Sequence, residues 1–233
     1  MPSEKMNDQS VSCHSVLSHP FEENTFILHR PDHSECLVVD PGLEPEKIVD
    51  LLTKNNLTPV AILNTHGHSD HIAGNAEMKQ RWPDAPLIIG RHDAPKLTDP
   101  VKNLSAPFGL PLVSPPADRL IDEGECLRFA GIELQVLDTP GHSCGHVVFL
   151  CRHCQPYLLV GGDVLFRGSI GRTDFPDGSF EDLQRCIHEK LFVLPSETVV
   201  LPGHGPATTI GQEQRFNPFV GMPAGWAPAN RSK

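Results

Sequence analysis

The segment Thr65-His66-Gly67-His68-Ser69-Asp70-His71 sets four metal-competent side chains within six residues. Neutral imidazoles and a carboxylate are the donor set for a borderline divalent ion, and two such ions can activate water and polarise a carbonyl. No regular element points all four inward. On a helix His66 and Asp70 share a face but His68 turns away; on a strand His71 opposes the other three. The segment therefore reads as a loop wrapped around something, with Gly67 permitting the tight path. A polar loop with accidental histidines is the bland alternative, and the density of donors speaks against it. Three more candidates follow one local plan, an apolar run, a sharp turn and a ligand-type residue: His142 after Asp138-Thr139-Pro140-Gly141, Asp163 after Gly161-Gly162, and His204 after Pro202-Gly203. Together they make seven ligands, the number two metals sharing a bridge require.

The elements that must carry these residues are legible as short aliphatic runs bounded by Gly, Pro and Asp. Glu35–Val39, Val60–Asn64, Leu87–Ile89, Leu134–Leu137, Val147–Leu150, Tyr157–Val160 and Thr198–Leu201 read as buried strands. Pro45–Lys54, Ile72–Trp82 and Phe180–Phe192 carry helical spacing, the last with Ser179 as N-cap and Asp182 three residues on. Mixed strands and helices, with later strands arriving as a hairpin, predict a layered α/β domain whose strand ends gather the site at one edge. The Pro-rich stretch from Asp99 to Pro116 reads as a surface excursion.

Composition narrows the class. At 39% hydrophobic and 21% charged residues, the 233-residue chain suits one large globular domain. A net charge of -10 with no Lys/Arg run excludes nucleic acid as an expected partner. No apolar stretch approaches the ~20 residues of a membrane span. Met1 to Ser10 are polar, without the apolar core of a signal peptide, and seven scattered cysteines suit a reducing compartment, so a cytoplasmic protein is expected.

The loop HGHSDH (His66 to His71), followed by His142, Asp163 and His204, resembles the motif set of the metallo-β-lactamase superfamily in order and rough spacing. DTPGHSCGHVVF (138–149), GDVLFRGSIGRTDFPDGS (162–179) and PGHGPATTIGQEQRFNPF (202–219) are similar to a compact bacterial subgroup of type II glyoxalases. The resemblance runs from about Val38 to Phe219. It implies an αβ/βα four-layer sandwich, two central mixed sheets with helices outside, over residues 16–220, with a flexible segment at 1–15 and a mobile tail at 221–233. It also implies a ligand assignment: His66, His68 and His142 on the first metal, Asp70, His71 and His204 on the second, Asp163 bridging. Two divalent ions bring four positive charges; Asp70, Asp163 and a bridging hydroxide cancel three, and the remainder suits oxyanion stabilisation. Zn2+ is the expected metal, with Fe or Mn as alternatives.

The implied activity is hydrolysis of a small-molecule thioester such as S-lactoylglutathione by a metal-bridged hydroxide, with Asp70 and Asp163 as catalytic carboxylates. Several readings stay open. Asp40, before Pro41-Gly42, either orients a ligand histidine or forms a turn; His146 either supports the centre or packs structurally. Arg172 stands where longer type II glyoxalases carry a glutathione-binding lysine, and either grips a substrate carboxylate or pairs with Asp174. Phe149 replaces their tyrosine, and the chain leaves no room for their C-terminal helical domain, which weakens glutathione recognition. Cys151-Arg152-His153-Cys154 is either a metal or redox pair or a hairpin turn. Persulfide dioxygenases also resemble the chain and would use His66, His142 and Asp163 around one iron; lactone, β-lactam and phosphoester hydrolases share the fold, and a non-catalytic metal-stabilised binding module is a further class.

Overall fold

A computed structural model describes residues 10–228. Its first sheet holds six strands in chain order: β1 (Ser12–Ser18), β2 (Glu23–His29), β3 (Glu35–Val39), β4 (Thr58–Asn64), β5 (Leu87–Gly90) and β6 (Arg119–Ile121). β1, β2 and β3 are antiparallel; β3 to β6 run parallel. Between these strands lie α1 (Pro45–Lys54), α2 (Ser69–Ile72) and α3 (Asn75–Arg81). The second sheet runs from β7 (Cys126–Phe129) through β8 (Ile132–Asp138), β9 (Val147–Cys151) and β10 (Leu158–Gly162), past a small hairpin of β11 (Leu165–Phe166) and β12 (Ser169–Ile170), to β13 (Val199–Pro202) and β14 (Thr208–Thr209). α4 (Phe180–Cys186) continues into a π-turn at Ile187–Leu191, and α5 (Ile210–Phe216) follows β14.

Strand alternation builds the layers. In β3, Leu37 and Val39 face the second sheet while Cys36 and Val38 face α1. In β9, Val147, Phe149 and Cys151 face the first sheet, and Val148 and Leu150 meet Leu183, Ile187 and Leu191 of the helical layer. Side chains two residues apart share a face, so each central strand feeds two cores and reads as a continuous apolar run. Three buried clusters result: one between the sheets and one between each sheet and its helices. This is the expected four-layer sandwich.

Some local expectations change. Ile72–Trp82 is not one helix: it divides at Ala73-Gly74, where Gly74 packs on Pro41 and a Cβ would meet Gly42 O at 2.9 Å. Phe180–Phe192 widens at its C-terminal half into the π-turn, and Ser179 caps its start by accepting the Asp182 N–H at 3.2 Å. The flexible segment expected at 1–15 overlaps β1, since residues 12–15 pair with 26–29; residues 1–9 lie outside the described residues. In the tail expected at 221–233, Trp226 stacks edge-on against Phe192 at 5.0 Å, and residues 229–233 lie outside the described residues. No helix among the described residues is long and apolar enough to cross a membrane.

Candidate metal centre

The strand ends converge. β4 delivers Thr65 and His66; β8 leads to His142; β10 ends one residue before Asp163; β13 ends two before His204. The expected loop holds only as far as His68, whose extended backbone caps α2, so Asp70 and His71 sit on a single helical turn. That turn is the correction to a loop running the full length of HGHSDH: His68 stays extended while Asp70 and His71 sit about 100° apart on the turn rather than the roughly 180° of a strand, so the path is extended and then helical.

Two trios of donors result, each with ligand atoms within 4.8 Å of one another: His66, His68 and His142, and Asp70, His71 and His204. Asp163 lies between them. Its Oδ2 is 3.5 Å from His142 Nε2 and 3.5 Å from His204 Nε2, and its Oδ1 is 3.5 Å from His71 Nε2. One carboxylate thus reaches both trios.

Outer hydrogen bonds fix which nitrogen of each ring faces inward. His142 Nδ1 donates to the Arg172 carbonyl at 2.9 Å and His204 Nδ1 to the Phe21 carbonyl at 3.0 Å. His71 Nδ1 donates to Asp40 Oδ2 at 3.1 Å. Thr65 Oγ1 spends its proton on Asp40 Oδ2 at 2.7 Å, so it accepts from His66 Nδ1 at 3.0 Å. In each neutral ring the Nε2 lone pair is left for the centre. His68 is reversed: its Nδ1 faces His142 Nε2 at 2.9 Å, so Nδ1 is its inward atom. Of the candidate ligands, His66 Nε2, His71 Nε2 and Asp163 Oδ1 are buried on the side of the centre without a hydrogen-bond partner among the described residues, and His68 Nε2, the ring atom turned away from His142, is buried without one as well. Buried polar atoms left unpaired are costly, and three at one point fit a bound cation.

Charge divides the two trios. Burial, reinforced by neighbouring histidines, holds His66 well below the ordinary imidazole value and His68 at about 3; burial likewise lowers His142 against the pull of Asp163. Burial also opposes charge on His71 and His204, but there Asp163 and Asp70 outweigh it and raise both. Those histidines in turn keep Asp70 and Asp163 ionised despite burial. A divalent ion entering the second trio must therefore displace protons that the first trio does not hold.

Asp40 meets His71 and Thr65, and His146 Nε2 accepts the Asp163 N–H at 3.0 Å, so both open readings acquire a contact with the centre. Gly162 has φ +46° and packs against Thr65 and His146, a position where a Cβ would displace both. Arg172 pairs bidentately with Asp174 at 2.9 Å and lies over the Phe175 ring at 4.6 Å. Sequence reasoning missed a clamp behind the centre. Lys96 Nζ donates to Asp93 Oδ1 at 2.9 Å, Ser143 Oγ at 2.5 Å and Asp177 Oδ2 at 2.6 Å. Asp93 accepts from Gly67 N and Gly145 N, both at 2.8 Å. The ligand loop, the His142 loop and the GRTDFPDGS segment are thereby tied to one buried ammonium. Asp93 is three residues from Lys96, but Ser143 and Asp177 are remote in sequence, and a lone Lys or Asp carries no signal of such a role.

A cavity of about 360 Å³ opens over the centre, bordered by Asp70, His142, Asp163 and His204 and walled by Phe21, Phe108, Phe166 and Phe175. The Pro-rich excursion supplies Leu104 and Phe108 to this wall. A small concave site with apolar walls and converging polar groups suits a small molecule.

The sandwich and its two donor trios define a metallo-hydrolase, and the chain belongs to the metallo-beta-lactamase superfamily, which it matches over residues 20–204. It is similar to the probable metallo-hydrolase YqgX of Bacillus subtilis (strain 168), at 41% identity over 202 residues, 86% of this chain and 93% of that one. It is similar also to the hydroxyacylglutathione hydrolase GloC of Haemophilus influenzae (strain ATCC 51907 / DSM 11121 / KW20 / Rd), at 36% over 203 residues, again 86% and 93%. The crystal structure of TTHA1623 in a di-iron-bound form superposes with a TM-score of 0.78 at 38% identity, covering 88% of this chain and 99% of that one. The histidine and aspartate sites of this chain are of the kind that takes divalent metals.

Proposed function

We propose that the protein hydrolyses the thioester bond of a small acyl-thiol, of which S-lactoylglutathione is one candidate, using two metal ions. The observation that carries this reading is the reach of Asp163 to donors of both trios, beside buried nitrogens with no other partner. His66, His68 and His142 would hold one ion, Asp70, His71 and His204 the other, with Asp163 shared. Zn2+ is the metal favoured by a nitrogen-rich set with carboxylates; iron is the alternative that the di-iron form of TTHA1623 supports. Two divalent ions bound there supply Lewis acidity and make hydroxide available at neutral pH.

The chain's own groups do the rest. Asp70 and Asp163 stay ionised and orient the attacking water by accepting its proton in a hydrogen bond. Phe166 and Phe175 beside the cavity exclude bulk water, which strengthens every charge interaction at the acyl carbon. A thiolate leaves readily without a strong acid, in keeping with the absence of any raised carboxyl group among Asp70 and Asp163. The name of the GloC relative supports a hydroxyacyl thioester. Arg172 borders the cavity, and a substrate carboxylate would have to compete with Asp174 for it.

Persulfide oxidation at one iron needs only His66, His142 and Asp163 and gives the Asp70, His71 and His204 trio no ligand role, so the hydrolase reading accounts for more of the site. The test is a thioester panel on protein of measured metal content, with a persulfide and an oxygen electrode in parallel. Thiol release without oxygen uptake is expected. Oxygen uptake with a persulfide and no thioester cleavage would overturn the proposal.

A further inference from the structure

The far end of β9 carries chemistry that hydrolysis does not use. Cys151 is the last residue of β9 and Cys154 lies in the turn to β10; both face the core between the sheets, at 1% and 8% exposure. Cys154 Sγ donates to Cys151 Sγ at 2.9 Å, under one ångström more than the ~2.05 Å of a disulfide bond. Val147, which opens β9 next to the metal centre, is four residues away, roughly 13 Å along the strand. The pair is therefore separate from the metal site. A second cavity of about 350 Å³ borders Cys151, flanked by Arg30, Arg128, Glu133 and His153, and brings a space large enough for a small molecule up to this residue.

The two thiols are unequal. The Cys154 S–H bond, helped by backbone N–H groups of Cys154 and His153, outweighs burial and holds Cys151 down to about 6. Its partner is pushed up by that same bond and by burial. The other five cysteines are all raised, Cys13 and Cys36 to about 12 and Cys144 to about 11. A thiolate beside a protonated thiol is the arrangement of an attacking and a resolving cysteine.

We propose that Cys151 and Cys154 form a hydroperoxide-reactive dithiol that closes to a disulfide. The Cys151 thiolate attacks the outer oxygen of the hydroperoxide; the O–O bond breaks, the alkoxide or hydroxide takes a proton from water, and Cys151 becomes a sulfenic acid. Cys154 sulfur then attacks Cys151 sulfur; the S–S bond forms, the S–OH bond breaks, and water leaves with the Cys154 proton. Two electrons pass from the thiols to the peroxide, and two equivalents of a small thiol reverse the change. Cys154 also protects the fold. Without it, oxidation of Cys151 proceeds to a sulfinate, a charge the apolar inter-sheet core cannot solvate.

The test uses the full-length, metal-loaded protein exposed to hydrogen peroxide, then unfolded in an alkylating agent and digested with trypsin. Arg152 separates the two cysteines, so the disulfide appears as a linked pair of tryptic peptides lighter by two hydrogens than the reduced pair; Cys144 shares the peptide that ends at Arg152, so fragmentation between residues 144 and 151 assigns the bond to Cys151. This link should form about tenfold faster than Cys13 or Cys144 is oxidised, and thiol treatment should remove it. In Cys154→Ala the S–H donor that lowers Cys151 is gone as well, so Cys151 should oxidise more slowly than in the wild type, but what is oxidised should carry two added oxygens, form no link and lower the Tm; in Cys151→Ala no link forms. Oxidation of Cys13 and Cys144 in the wild type while Cys151 and Cys154 remain fully alkylatable would refute the proposal, as would Cys151 paired with another cysteine.

Discussion

Asp40→Asn tests the reasoning about the centre at its most exposed joint. Asp40 follows β3 with φ +50°, a conformation Asn tolerates nearly as well as Asp, so the backbone should hold. The side chain cannot do the same work. Oδ1 accepts from Thr65 N at 2.7 Å, while Oδ2 accepts from both Thr65 Oγ1 and His71 Nδ1. With the amide oxygen kept on Thr65 N, the amide nitrogen confronts two donors. His71 must surrender that bond or move its proton to Nε2, the atom facing the centre. Thr65 is then free to donate to His66 Nδ1, which removes what fixed that ring too. One substitution so disturbs a donor in each trio. Loss of an outer partner costs about 10–100-fold in metal affinity, or roughly 1.4–2.7 kcal/mol. Competition against a chromophoric chelator, with metal-to-protein ratio and thioester turnover measured together, gives the assay. A folded Asp40→Asn protein with wild-type metal affinity would refute the tautomer argument.

Other consequences are equally direct. On acidification the second trio should release its metal first, because His71 and His204 are raised by Asp163 and Asp70 and gain protons at higher pH, whereas His66, His68 and His142 are lowered and stay neutral further down. Metal content against pH should step from two to one before reaching zero, with activity lost at the first step; simultaneous loss of both would contradict this. His68→Ala should cut thioester turnover by more than about 100-fold, since it removes a ligand rather than its support, while leaving the second trio intact; turnover within tenfold of wild type would remove His68 from the ligand set. Lys96→Met leaves Asp93 and Asp177 without their cation and should cost about 3 kcal/mol, near the low end because Asp93 keeps its backbone donors. In a chain of this length that is a Tm lower by about 6–12 °C, and an unchanged Tm would mean the clamp does not hold the loops.

The centre was more legible than the frame around it. HGHSDH declares itself because a metal demands several donors in a short span, and that demand is written locally. His142, Asp163 and His204 were readable as residues just past apolar runs. β1 and β2 were not read: Ser12–Ser18 forms an edge strand with much of its length exposed, so its alternation is diluted by Ser and His. The helical turn at Ser69–Ile72 escaped because four residues carry too little pattern to mark a helix.

By itself the sequence determined which side chains could bind metal, that they follow strand ends, and that the fold is a layered α/β sandwich. The family resemblance implied how six donors divide into two trios around Asp163, and the tertiary structure supplies the distances; only the tertiary structure decided which nitrogen of each ring faces inward. Those choices depend on Asp40, Phe21 and Arg172, whose carboxylate or carbonyl oxygens sit 31, 183 and 30 residues from the histidines they orient. A carbonyl oxygen has no identity in a sequence, and a hydrogen bond across such a separation leaves no periodic trace. Folding brings these partners together, and so it fixes the proton positions on which the chemistry depends.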